Sequence, residues 1–120
     1  MNNVTVYEYS KCSTCRKALK YLDAHNISYD KKPIVDQPPT KKELLTALDR
    51  LGGEVRKLFN TSGLQYREMN LSTKIKTMDA KDAIDLLSEN GKLVKRPFVL
   101  TENEALVGFN ETAWDKVFKK

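Results

Sequence analysis

The sequence predicts an α/β fold with a mixed four-stranded sheet, ordered β-α-β, then a helical block, then β-β-α. Three observations carry that prediction. An alternating apolar run (Val4, Val6, Tyr7, Tyr9) hands over, across Cys12-Ser13-Thr14-Cys15, to apolar residues at helical spacing (Ala18, Leu19, Leu22). A second β-like run follows that helix and closes a β-α-β unit, which forces a parallel pair. Toward the C-terminus, two short β-like runs flank Glu102-Asn103-Glu104 and make an antiparallel hairpin.

Taken in order, the first strand covers Val4 to Tyr9 and the first helix runs from about Thr14 to His25. Leu19 and Leu22 should face inward on that helix, and Lys17, Lys20 and Asp23 outward. Ile27 to Val35 reads as a weaker strand, broken by Pro33. Gln37-Pro38-Pro39 stops regular structure. Thr40-Lys41-Lys42-Glu43 then forms a capping box for a helix lined by Leu44, Leu45, Leu48 and Leu51. Gly52-Gly53 ends that helix. Glu54 to Phe59 predicts a short helix closed by Asn60-Thr61-Ser62-Gly63, and Tyr66 to Met78 a further short helix with a loop. Asp79 is expected to cap a helix bearing Ala83, Ile84, Leu86 and Leu87, with Gly91 as its C-terminal cap. The helical insertion thus occupies about 40–90. Leu93 to Leu100 and Ala105 to Gly108 supply the hairpin, and Asn110 caps a last helix carrying Trp114, Val117 and Phe118. No repeat, low-complexity stretch or linker divides residues 1–120, which read as a single domain.

Composition narrows the function classes. Forty per cent apolar and 31% charged residues, with a net charge of +5, describe a mildly basic domain with an ordinary core. No apolar run approaches a membrane span, and the first residues lack a signal peptide's apolar stretch, so a cytoplasmic protein with no membrane partner is expected. Lys31-Lys32, Lys41-Lys42 and Lys119-Lys120 are scattered and lack interleaved aromatics, which argues against direct nucleic-acid binding.

Both cysteines of the chain, Cys12 and Cys15, sit where strand becomes helix. In a reducing compartment, C-x-x-C in that setting points to redox chemistry rather than a structural staple. The helix N-terminus favours an anion, such as a thiolate at Cys12, and Lys11, Arg16 and Lys17 push the same way. Side chains three apart at a helix start lie on one face, roughly 5–6 Å between Cβ atoms, so a Cys12–Cys15 disulfide is within reach. Cys12 can attack and Cys15 can resolve. No metal is expected, since zinc wants four ligands and only these cysteines and His25 are available.

The stretches from Tyr9 to Ala18 and Asn60 to Gly63, with Tyr66-Arg67, Lys95-Arg96-Pro97 and Val107 to Glu111, resemble the arsenate reductase (ArsC)/Spx family over nearly the whole chain. The resemblance implies a thioredoxin-like (glutaredoxin-like) core with a helical insertion. It implies Cys12 as nucleophile, Arg16 as a neighbouring basic position and Arg96 as the arginine before the proline, and a cis bond is expected at Pro97. Relatives that reduce arsenate hold the oxyanion with three arginines. Here only Arg96 is plainly present, with Asn60-Thr61-Ser62 and Gly108-Phe109-Asn110 where the others would fall. Cys15 instead resembles the Spx-type regulators, which switch by forming this disulfide and act on RNA polymerase. The leading expectation is a thiol–disulfide reductase, with no bound cofactor and an external reductant: a thiol of the glutathione or bacillithiol type, glutaredoxin or thioredoxin. An RNA polymerase-binding switch and an arsenate reductase follow in that order. A monomer is expected.

Overall fold

The computed structural model describes residues 4–61 and 63–119; Ser62, of the sequence stretch Asn60-Thr61-Ser62-Gly63, and Lys120, of Lys119-Lys120, lie outside them. Strand β1 (Thr5–Glu8) leads into helix α1 (Ser13–Ala24) and β2 (Asp30–Pro33). The insertion then contributes α2 (Lys41–Arg50), a 3₁₀ turn at Val55–Leu58, α3 (Leu64–Glu68), α4 (Leu71–Lys74) and α5 (Ala80–Glu89). A second 3₁₀ turn at Gly91–Leu93 precedes β3 (Phe98–Leu100), β4 (Ala105–Val107) and α6 (Glu111–Phe118). The four strands form one sheet in the order β2-β1-β3-β4, parallel between β1 and β2 and antiparallel elsewhere. None of the helices among the described residues is long and apolar enough to cross a membrane.

Strand alternation sorts the core onto two faces. Val6 and Val99 turn to one side and pack with Ala18, Tyr21 and Leu22 of α1 and Trp114 of α6. Tyr7 and Phe98, their chain neighbours, turn to the other and meet Leu44 and Leu48 of α2 and Ile84 and Leu87 of α5. The insertion is therefore the cover of one sheet face, and each large side chain it buries contributes about 1.5–3 kcal/mol. Leu19 is only partly buried, at the margin of the α1 cluster.

The capping box forms as expected: Thr40 Oγ1 accepts the Glu43 N–H at 3.1 Å and Glu43 Oε1 accepts the Thr40 N–H at 3.0 Å. The same carboxylate oxygen accepts the Tyr7 hydroxyl at 2.6 Å, tying α2 to the sheet. Asn110 caps α6 by accepting the Ala113 N–H at 3.0 Å. Four expectations are corrected. Leu45 does not join the buried row of α2 but stands exposed. Asp79 stands at the N-cap of α5, but its side chain makes no capping hydrogen bond. Gly91 does not cap α5, whose C-cap is Asn90; it opens the second 3₁₀ turn. A Cβ there would lie 1.8 Å from the Ile34 carbonyl oxygen, so backbone approach requires the glycine. Leu93 and Val94 do not belong to β3, because the chain bends through the 3₁₀ turn and Val94 bridges Phe59 of the insertion instead.

Candidate redox site

Cys12 is the N-cap of α1, in extended conformation (φ −98°, ψ 114°), and its half-buried sulfur accepts the backbone N–H of Cys15 at 3.2 Å. The spacing explains the bond, because an N-cap acceptor reaches the N–H three residues on. Serine, threonine, asparagine or aspartate usually fills this place; here a sulfur does. A thiolate accepts that N–H more strongly than a thiol, and it meets the positive end of the helix.

Cys15 is fully buried, one turn along. Burial pushes its thiol up to about 12, and a hydrogen bond with Cys12 and the charge on Cys12 act in the same direction. A backbone hydrogen bond from Tyr9 and the Arg96 guanidinium oppose the rise. Both cysteines carry free thiols.

The Arg96–Pro97 peptide bond is cis, as expected. Arg96 is half-buried with its guanidinium carbon 4.9 Å from the centre of the Tyr9 ring, a cation–π contact that holds it beside the motif. The buried Pro97 accepts the Gly108 N–H on its carbonyl at 2.9 Å, which brings the segment after β4 against the same site. Gly108 has φ +73°, and a Cβ there would sit 3.1 Å from Lys95 Cε, so conformation and crowding both favour glycine. A cleft of about 510 Å³ results, lined by Cys12, Thr14, Asn60, Lys95, Arg96 and Asn110 together with Gly63 and Val107–Phe109.

Of the residues singled out in the sequence, Cys12, Cys15, Arg96 and Pro97 come together. Lys11 and Arg16 do not join them. Lys11 is exposed, and Arg16 donates to the Ser10 carbonyl at 3.1 Å on the outer side of α1. Helix geometry is the reason, since Arg16 follows inward-facing Cys15 by one residue, about 100° round the axis. The cleft also recruits Asn60, Lys95 and Asn110. Asn60 and Asn110 occupy the segments where arginines were expected, so the backbone keeps those positions at the site while the side chains are neutral. Nothing in the sequence marks Lys95 apart from its neighbour Arg96. Among the described residues, no group of three or more His, Cys, Asp or Glu side chains is placed to hold a metal ion.

A β2-β1-β3-β4 sheet, a C-x-x-C at the mouth of the first helix and a cis proline leading into β3 define a thioredoxin-like thiol redox protein. The chain belongs to the ArsC family, whose family model matches residues 7–117. A crystal structure of an ArsC family related protein from Bacteroides fragilis superposes with a TM-score of 0.91 at 47% identity, covering 96% of this chain and 97% of that one. The uncharacterized protein YusI of Bacillus subtilis (strain 168) is 40% identical over 95% of this chain and 97% of its own length. The global transcriptional regulator Spx of Streptococcus agalactiae is 27% identical over 90% of this chain and 77% of its own length.

Proposed function

We propose that the protein is a thiol–disulfide reductase in which Cys12 is the nucleophile and Cys15 the resolving thiol. One observation carries the reading. The Cys12 sulfur lies on the cleft and on a helix N–H, while the Cys15 sulfur waits behind it, buried and within hydrogen-bonding reach. Cys12 thiolate attacks one sulfur of a substrate disulfide, the Cys12–substrate bond forms, and the other substrate sulfur leaves as a thiolate. That thiolate takes a proton. Cys15, deprotonated in turn, attacks the Cys12 sulfur; the Cys12–Cys15 bond forms and the second substrate sulfur leaves. The substrate gains two electrons and the protein loses two. An external thiol of the glutathione or bacillithiol type, glutaredoxin or thioredoxin restores the dithiol. Arg96 steadies the anionic sulfurs from the cleft wall.

The test is to mix the reduced protein with hydroxyethyl disulfide and identify products by mass spectrometry. The native chain should end as an intramolecular disulfide, Cys15→Ser should stop at a Cys12 mixed disulfide, and Cys12→Ser should give neither. A native chain that forms no intramolecular bond, or a Cys12→Ser chain that still reduces the probe, would overturn the assignment.

A second reading is supported by Cys15 together with the similarity to Spx: the same dithiol acts as a switch on binding to RNA polymerase. Co-precipitation of polymerase with oxidised and with reduced protein separates the two. Binding that depends on redox state favours the switch, and equal or absent binding removes it. Arsenate reduction is disfavoured by the neutral Asn60 and Asn110 side chains on the cleft. Each missing charged partner for a divalent oxyanion costs about 1.5–3 kcal/mol. Arsenate turnover in a coupled glutathione–glutaredoxin assay is expected at or near background; robust turnover would reverse that ranking.

A further inference from the structure

A second cleft, of about 390 Å³, adjoins the one that holds Cys12, and Lys95 and Val107 line both. Beneath it lies buried Phe59, and Arg56 and Lys57 of the first 3₁₀ turn stand on its wall. We infer that the two clefts form one groove for an acidic polypeptide segment, so that the disulfide presented to Cys12 belongs to a protein with carboxylates near its cysteine. The chemistry of this inference rests on the thiol–disulfide reading; the docking does not.

Size and charge argue for it. An extended tripeptide spans only about 10 Å. A small thiol of that length is housed by the first cleft and leaves the second empty, whereas a polypeptide continues past Lys95 into it. The charge along this path is one-sided. Among the described residues, the side chains of Arg56 and Lys95 make neither a hydrogen bond nor an ion pair, and Arg96 lies over the Tyr9 ring with its charge acting on Cys15. The one acid on the wall, Glu54, is held 3.6 Å from Lys57 Nζ. Unpaired cations along a concave surface focus positive potential there. Gly108 contributes as well: with no side chain of its own, it lets the Lys95 stem lie across it, at the junction of the two clefts. Phe59 and Val107 give the groove an apolar floor, suited to the alternate side chains of an extended chain.

The experiment uses the native reduced chain and a labelled, amidated seven-residue peptide whose central S-methylcysteine is flanked on each side by two glutamates. A glutamine counterpart is the comparison. At physiological ionic strength, fluorescence anisotropy should show the glutamate peptide binding about tenfold tighter or more, and Arg56→Glu should weaken it about tenfold. Lys31→Glu changes net charge equally but lies on β2, at the opposite edge of the sheet, and should stay within about twofold of the native chain. Equal binding of the two peptides, or equal effects of the two variants, would sink the groove. So would an RNA of matched charge that binds as tightly and is as sensitive to Arg56→Glu, since that describes a general polyanion surface. Hydroxyethyl disulfide reduction by the native chain is measured in parallel. Its failure removes the thiol–disulfide reading alone, because the methylated peptide reports docking without any exchange of sulfur.

Discussion

At Cys15, three influences raise the thiol's pKa: burial first, then the hydrogen bond with Cys12, then the charge on Cys12. The last two belong to the other sulfur and end once Cys12 is in a mixed disulfide. Deprotonation of Cys15 is thus eased at the step that uses it. Before that step it is protected. Iodoacetamide between about pH 7 and 9 should add one label per native chain, on Cys12, with Cys15 reacting only in denaturant or as the pH approaches 12. Intact mass and peptide mapping check both statements. Arg96 opposes the rise at Cys15, so Arg96→Ala should prolong the mixed disulfide several-fold in quenched-flow trapping. Arg96→Lys should restore part of the rate, an outcome that a purely structural role for the residue would not give.

At the scale of elements, Gly91 and Arg50 show what holds the insertion to the sheet. Arg50, the last residue of α2, donates to the carbonyls of Thr101, Glu102 and Glu104 at 2.9–3.0 Å and so fastens the β3–β4 turn. Gly91 lets the backbone after α5 press on Ile34. Gly91→Ala should therefore cost ~3 kcal/mol or more, read as a lower urea midpoint with unchanged slope. The same pair marks the limit of what sequence reveals. Thr40-Glu43, Asn110 and the alternation in β1 are local chemistry, and each element they specify is found. The role of Gly91 and the early bend at Leu93–Val94 depend on partners more than thirty residues away, Ile34 and Phe59, which no local pattern encodes. The candidate site divides likewise. Cys12 and Cys15 are legible because one motif contains both. Lys95 emerges only once the sheet order brings the loops after β1, the first 3₁₀ turn and β4 to one end.

For the molecule as a whole, four acids ionise late in the folded state, one of them Tyr29, raised by burial and its hydrogen bond to Asp23. Burial and the Glu43 hydrogen bond hold Tyr7 well above the usual phenol range, Tyr21 is raised to about 12 by burial and its bond to Asp115, and Cys15 is also raised to about 12. The unfolded chain releases these protons near the ordinary values of about 8.5 for cysteine and 10 for tyrosine. Stability is therefore full below about pH 8.5 and falls as the pH climbs toward 12. On the acid side, the Tyr21 hydroxyl, 2.6 Å from Asp115, holds that carboxylate below its usual range. Its contribution is present above about pH 4 and fades as the pH falls further. Tyr21→Phe should flatten both limbs of a urea-midpoint profile against pH. Tyr21 also packs edge-on against Trp114, and that residue joins the core to the redox cleft. Trp114, the chain's sole tryptophan, donates its indole N–H to the Gly108 carbonyl at 3.2 Å, directly behind the cleft wall. The protein thus carries a built-in optical gauge: whatever displaces Gly108 disturbs the indole, and occupancy can be followed by native emission without attaching a dye.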